Sequence, residues 1–328
     1  MTGHESESAS VASGPLGVPT AGPPAAVSGV GNAPVAGQPG RFAAATDSPE
    51  MPPRSSAHPR GRGPGRPGLN ALAERLSGRD EAVLRDLRRS RFLTTQHIER
   101  LHAASFRTPT TAARATRKQL RRLHDLQLLQ ALPRRVGGIH GGAAQTVWQL
   151  SSTGLRLLGL LDGAGDTWRV HEVGQAFVAH HLAIADTHLA LIEAARGGAF
   201  ELLDVQLEPD CWRSFLDSSG VAQVLKPDLS VVTATGDFED HWFIEVDRGT
   251  ESIPTLLRQC QAYARYRRSG IEQQAVDVFP RIIWLLPTER RRDRLLDAIG
   301  NARGLERGLF YALLTPDQLT DFIRGGVA

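Results

Sequence analysis

The chain has 328 residues, 38 Lys and Arg against 35 Asp and Glu, and a hydrophobic content of 41%, an ordinary balance for a globular protein with room for about two domains. No uninterrupted apolar run approaches the roughly 18 residues that span a bilayer. No basic start and apolar core marks a signal peptide, and Cys211 and Cys260 form neither a metal-ligand pattern nor a disulfide framework, so a cytoplasmic protein without membrane contact is expected.

The small net charge hides an uneven distribution. Residues 80–150 carry thirteen Arg and Lys against five Asp and Glu, whereas residues 171–328 carry sixteen against twenty-three. A basic segment joined to an acidic one predicts that the first meets a polyanion and that the second has another task. Residues 1–68 are dominated by Ala, Gly, Pro, Ser and Val without periodicity. Such a segment cannot bury enough surface to offset its ordering entropy, and a disordered arm is expected. At its end Arg60, Arg62 and Arg66 stand among glycines and prolines; they read as a basic linker, with a short likeness to the minor-groove arm of AT-hook peptides.

Residues 80–165 read as three helices followed by a hairpin. "DEAVLRDLRRSRFL" places Val83, Leu84 and Leu87 at helical spacing, "TTQHIERLHAASF" opens on Thr94 or Thr95 as a cap, and "RTPTTAARATRKQLRRLHD" opens on Thr108 or Thr110 with Pro109 in its first turn. A strand, a Gly-rich turn, a second strand and the short helix "GLRLLGLL" follow. That order predicts a winged helix-turn-helix. In the third helix Arg114, Arg117, Lys118, Arg121 and Arg122 recur three to four residues apart, while Ala113, Leu120 and Leu123 lie on another face. A cationic helix face of this kind suits the major groove of double-stranded DNA. Arg134 and Arg135 would lie on the wing, within reach of the backbone or minor groove.

Residues 171–328 change pattern: a long helix, three strands, a helix, a strand, then helix, strand and helix. "KPDLSVVTATGDFEDHWFIEVDRG" (226–249) gives two of those strands around a polar turn near Gly236–Asp240. Alternation puts Glu245 and Asp247 on one face with His241 and Phe243, and Trp242, Ile244 and Val246 on the other. Pairing would bring Asp228 beside both acids. Three carboxylates at one strand end repel unless a divalent cation sits between them, and hard oxygen ligands select Mg²⁺ or Mn²⁺. In the competing reading Asp247 runs into a helix cap and Glu245 pairs with Arg258 or Arg265. His180, His181 and His188 on the long helix read as core or surface residues. The run Arg290-Arg291-Arg292 opens a helix against its dipole, so acidic neighbours or solvent must balance it.

"PD" at 227–228 and "EVD" at 245–247 in an α-β-β-β-α-β order resemble the PD-(D/E)xK nuclease fold, a restriction-endonuclease-like core. The resemblance implies a metal held by Asp228 and Glu245, with Asp247 as a third ligand. The Gln259–Tyr263 spacing resembles a motif of some nucleases of that group, and Glu193 on the long helix becomes a candidate to reach the metal. The usual lysine position holds Asp247, so Lys226 or Gln259 would have to position water. Together "KPDLSVV", "FIEVDRGTES" and "LLRQCQAYARY" resemble the replication-relaxation family over residues 85–290. That likeness implies a role in plasmid or mobile-element replication or DNA relaxation, with replication or mobilisation proteins as partners. Two functions stay open. One is a DNA-binding protein with metal-dependent cleavage; the other is a non-enzymatic regulator whose α/β domain serves homodimer formation or partner binding.

Overall fold

The computed structural model of the chain describes residues 66–132, 145–163 and 174–325. Residues 1–65 of the expected arm, and Arg134 and Arg135 of the expected wing, lie outside them.

Local capping sets the first helices. Helix α1 (Arg66–Ala73), absent from the sequence reading, forms because Leu69, Leu72 and Leu76 find a core to enter. Ser77 then opens α2 (Gly78–Ser90) with a capping box: its hydroxyl accepts the Asp80 N–H, and Asp80 accepts the Ser77 N–H at 2.8 Å. A short strand β1 (Leu93–Thr94) ends on Thr94, which caps α3 (Thr95–Leu101) by accepting the His97 N–H at 3.1 Å. Thr108 caps α4 (Pro109–Asp125), with Pro109 in the first turn, where its missing N–H costs nothing. Strands β2 (Leu129–Ala131) and β3 (Val147–Leu150) follow, then α5 (Ser152–Leu161). The three strands form one antiparallel sheet in the order β1-β3-β2. Val83, Leu84, Leu87, Ile98, Leu120 and Leu123 fill the core between helices and sheet. Ala112 and Thr116, rather than Ala113, join Leu120 and Leu123 on the buried face of α4.

The rest is an α/β arrangement around a five-stranded sheet. Helix α6 (Gln175–Arg196) is followed by β4 (Glu201–Leu207), β5 (Arg213–Leu216), β6 (Ala222–Leu225), β7 (Leu229–Thr235) and β8 (Phe238–Val246). Then come α7 (Ile253–Ser269), α8 (Ile271–Val276), β9 (Arg281–Leu285), α9 (Glu289–Asn301), β10 (Phe310–Leu313) and α10 (Pro316–Gly325). The sheet order is β10-β9-β8-β7-β4; β8, β9 and β10 run parallel, and β4, β7 and β8 pair antiparallel. The β7–β8 turn is shorter than the sequence suggests: only Gly236 and Asp237 lie outside the strands, with Gly236 at φ 60°. The hairpin β5–β6 and helix α8 are additions to the expected order. Alternation along β8 is strict. Trp242, Ile244 and Val246 pack with Ile184 and Leu191 of α6 and Leu319 and Ile323 of α10, while Phe243 packs under Leu256 and Tyr263 of α7 and Leu295 of α9. No helix among the described residues is long and apolar enough to cross a membrane.

Asp80 ties the basic helix to this frame. It is 1% exposed and accepts from Arg122 and, at 3.0 Å, from Gln119 Nε2, both on α4. Burial opposes its charge, but hydrogen bonds from Ser77, Arg122 and Gln119 outweigh that and hold the carboxyl below its ordinary range. A depressed carboxylate stabilises above its unfolded pKa and loses that contribution as pH falls through the folded value. Asp80→Asn should therefore lower stability at pH 7 by about 2–4 kcal/mol, with a smaller deficit at pH 3, in urea titrations at both pH values.

Candidate functional site

The register of β7 on β8 builds the site. Leu229 lies opposite Ile244, so Asp228 reaches the end of β8, where its Oδ2 accepts the Val246 N–H at 2.7 Å. The Asp228 carbonyl accepts the Glu208 N–H at 3.0 Å, which fixes Glu208 at the end of β4. From the second turn of α6, His180 Nε2 stands 3.1 Å from Asp228 Oδ1 and 3.8 Å from Glu208 Oε1. His181 Nδ1 lies 3.3 Å from the same glutamate oxygen. An open cavity of about 630 Å³ is lined by His180, Lys226, Asp228, Glu245, Asp247 and Gln259, among others. All five residues assigned to chemistry from the sequence thus border one cavity, but their side chains are not equivalent.

Glu245 is buried, and the Tyr263 hydroxyl donates to it at 2.5 Å. Burial first, and then the neighbouring Asp228, push its carboxyl well above the usual range. The arginine pairing weighed from the sequence is not found: Arg258 donates to Thr255 Oγ1 at 2.9 Å, and Arg265 makes no ion pair among the described residues. Asp247 is instead taken by a cation. Its side chain is 2% exposed and both oxygens are bound by Arg291, with Nη2 at 2.9 Å from Oδ1. This accounts for a basic side chain in the first turn of α9: Arg291 is held by Asp247 and by the Glu251 carbonyl at 2.7 Å.

Lys226 is exposed, with Nζ 4.5 Å from the Trp212 ring centroid. Gln259 donates to Glu251 at 3.3 Å, while its Oε1 is buried without a partner. Glu193 does not reach the cavity; Arg100 Nε donates to it at 2.9 Å. Burial opposes a charge on His180, but Asp228 and Glu208 outweigh it and raise its pKa. His181 moves the other way: burial and Arg91 drive it down to about 3. Burial and Asp228 also raise the Glu208 carboxyl.

His180 and Glu208 are the residues that sequence reasoning missed. The available signal was faint: Glu208 ends a strand directly before Pro209, as Asp228 begins one directly after Pro227.

A second surface lies on α4. Arg114, Arg117, Lys118 and Arg121 are exposed and carry no ion pair among the described residues. They follow one another at i, i+3, i+4 and i+7, a single stripe of the helix. Arg122 leaves that stripe to bind Asp80.

Residues 84–282, well over half of the chain, match the family described as replication-relaxation. The protein belongs to the replication-relaxation family. The chain matches no curated protein and no solved structure.

Because Asp247 and Arg291 are mutually buried, Arg291→Ala should lower stability by about 3 kcal/mol by leaving the aspartate charge uncompensated. Thermal melting at pH 7 checks this against Arg290→Ala, which should shift the midpoint by less than about 2 °C.

Proposed function

We propose that this replication-relaxation protein binds double-stranded DNA through α4 during plasmid or mobile-element replication. The stripe of Arg114, Arg117, Lys118 and Arg121, exposed and without an ion pair among the described residues, carries this reading. Cations at this helical spacing match a polyanion whose phosphates recur along a groove. On this reading residues 80–165 are a winged helix-turn-helix domain: α3 and α4 form the helix pair, and β2 and β3 form the stem of a wing. Residues 171–328 are a PD-(D/E)xK-like domain, supported by the order of α6, β4, β7, β8, α7 and β9 and by carboxylates at the end of β8.

The second reading is metal-dependent DNA cleavage in the cavity, favoured by the gathering of Asp228, Glu245, Lys226 and Gln259 around it. A divalent cation, when bound, would acidify a water molecule and offset charge on the phosphoryl group. Of the three carboxylates expected to hold Mg²⁺ or Mn²⁺, Asp228 fits, Glu245 fits by ligand type while the Tyr263 hydroxyl donates to it, and Asp247 does not fit because Arg291 occupies it. Gln259 lines the same cavity, and its side-chain amide is the polar group it brings there. Lys226 and Arg248 at the wall offer positive charge to a phosphate.

The non-enzymatic alternative assigns the α/β part to homodimers or to replication and mobilisation proteins. The exposed apolar side chains of Leu216, Val221 and Val224 on the β5–β6 hairpin favour that use.

Replacing Arg114, Arg117, Lys118 or Arg121 singly with Ala should weaken duplex binding about equally across sequences and reduce the slope of log K against log salt by roughly 1 each. Fluorescence anisotropy from 50 to 300 mM salt measures it; an unchanged slope in the fourfold variant would sink the proposal. For cleavage, Asp228→Asn should abolish nicking of supercoiled plasmid while anisotropy reports unchanged DNA affinity.

A further inference from the structure

The carboxylates at the end of β8 do not form the most complete ligand set in this cavity. One nitrogen and two oxygens, from His180, Glu208 and Asp228, lie within 4.8 Å of one another. They arrive from three separate elements: the second turn of α6, the residue after β4, and the residue before β7. His180 Nε2 stands 3.1 Å from Asp228 Oδ1 and 3.8 Å from Glu208 Oε1. For bonds of about 2.1 Å, ligand atoms around one metal ion stand roughly 3.0–4.2 Å apart, so these spacings already suit a shared ion.

The surroundings are those of a supported site. The Glu208 backbone is tied to Asp228 at 3.0 Å, and the buried His181 ring presents Nδ1 to the Glu208 carboxylate at 3.3 Å. Contacts around a ligating carboxylate help to orient it. Asp228 has only a histidine as ion-pair partner among the described residues. His180 and Asp228 also line the cavity, which leaves room for water or substrate on the open side. Asp247, by contrast, is taken by Arg291, and Glu245 is held by Tyr263.

We infer that His180, Glu208 and Asp228 form a site for a divalent transition metal, with Mn²⁺ or Zn²⁺ favoured over Mg²⁺. The selectivity follows from the imidazole. A nitrogen donor beside two carboxylates suits first-row transition ions, whereas Mg²⁺ prefers oxygen ligands and retains its waters. The inference deepens the reading of this cavity as a functional site and names a ligand set that the acidic strand motif does not contain. It does not require that DNA be cut.

The test uses the full chain, stripped with a chelator and titrated with Mn²⁺ by calorimetry, then examined by pulsed electron paramagnetic resonance. The wild type should bind one Mn²⁺ and show nitrogen modulation from an imidazole, and Zn²⁺ should displace the ion while equimolar Mg²⁺ should not. His180→Gln should remove the nitrogen modulation, and both His180→Gln and Glu208→Gln should weaken Mn²⁺ binding at least tenfold. Glu245→Gln should change it less than threefold. Absence of Mn²⁺ binding, Mn²⁺ binding without nitrogen modulation, or a loss confined to Glu245→Gln would each overturn the inference. The wild-type spectrum decides the matter even where a variant fails to fold. Plasmid nicking measured in parallel separates the two readings: a nitrogen-ligated ion without nicking removes the cleavage reading alone, and Mg²⁺-supported nicking by a chain that shows no nitrogen-ligated Mn²⁺ removes this site alone.

Discussion

Helix α6 is packed on two sides, and that double burial fixes the relation between the basic helix and the carboxylate cavity. On one side Val178 and Leu182 meet Phe92 and Val147, and Asp186 and Glu193 bind His97 and Arg100 of α3. On the other side Ile184 and Leu191 lie on the five-stranded sheet. With both faces taken, the helix can neither rotate nor slide without opening a core, because packed interiors have no spare volume. His180 therefore has little freedom in where it points. It faces the end of β7 because the rest of α6 is held elsewhere.

A buried carboxylate must be compensated, and this chain does so in different ways at different places. Asp80 and Asp247 receive arginines, Arg122 and Arg291. Glu245 receives the Tyr263 hydroxyl and is driven toward its neutral form. Asp228 and Glu208 receive imidazoles. The first solution is permanent, since a guanidinium does not titrate in the accessible range. The last is exchangeable, because a neutral imidazole can give its lone pair to a proton or to a metal. The chain thus places fixed cations against Asp80 and Asp247 and imidazoles against Asp228 and Glu208.

Much of this architecture was legible from local chemistry. The caps at Thr94 and Thr108, the alternation along β8 and the cationic run of α4 are properties of a few consecutive residues, and they appear in the fold much as composition and spacing suggest. What escaped was long-range. Arg122 resembles its neighbours in sequence and departs from them only because Asp80 lies 42 residues earlier, across a packed interface. Asp247 looked available until Arg291, 44 residues later, is brought against it. His180 meets Asp228 over 48 residues through the packing of α6 on the sheet. Helix α1 and the β5–β6 hairpin were missed for a related reason. Their segments are short, and burial against larger elements, rather than intrinsic propensity, holds them in place.

The charge asymmetry then acquires a physical consequence on the proposed reading. A chain that holds DNA by the α4 stripe brings a dense array of phosphates to a molecule whose residues 171–328 carry a surplus of acidic groups. Acids grouped at a cavity repel phosphate, and low-dielectric walls focus that repulsion. Burial disfavours the Glu245 charge, and pairing with Arg291 offsets the charge of Asp247. Asp228 and Glu208 remain, balanced only in part by His180. A divalent ion held by these three side chains would turn the local potential from one that excludes a phosphodiester to one that admits it. Entry of the nucleic-acid backbone into the cavity would thereby become conditional on the metal, whereas docking of the duplex on α4 would not.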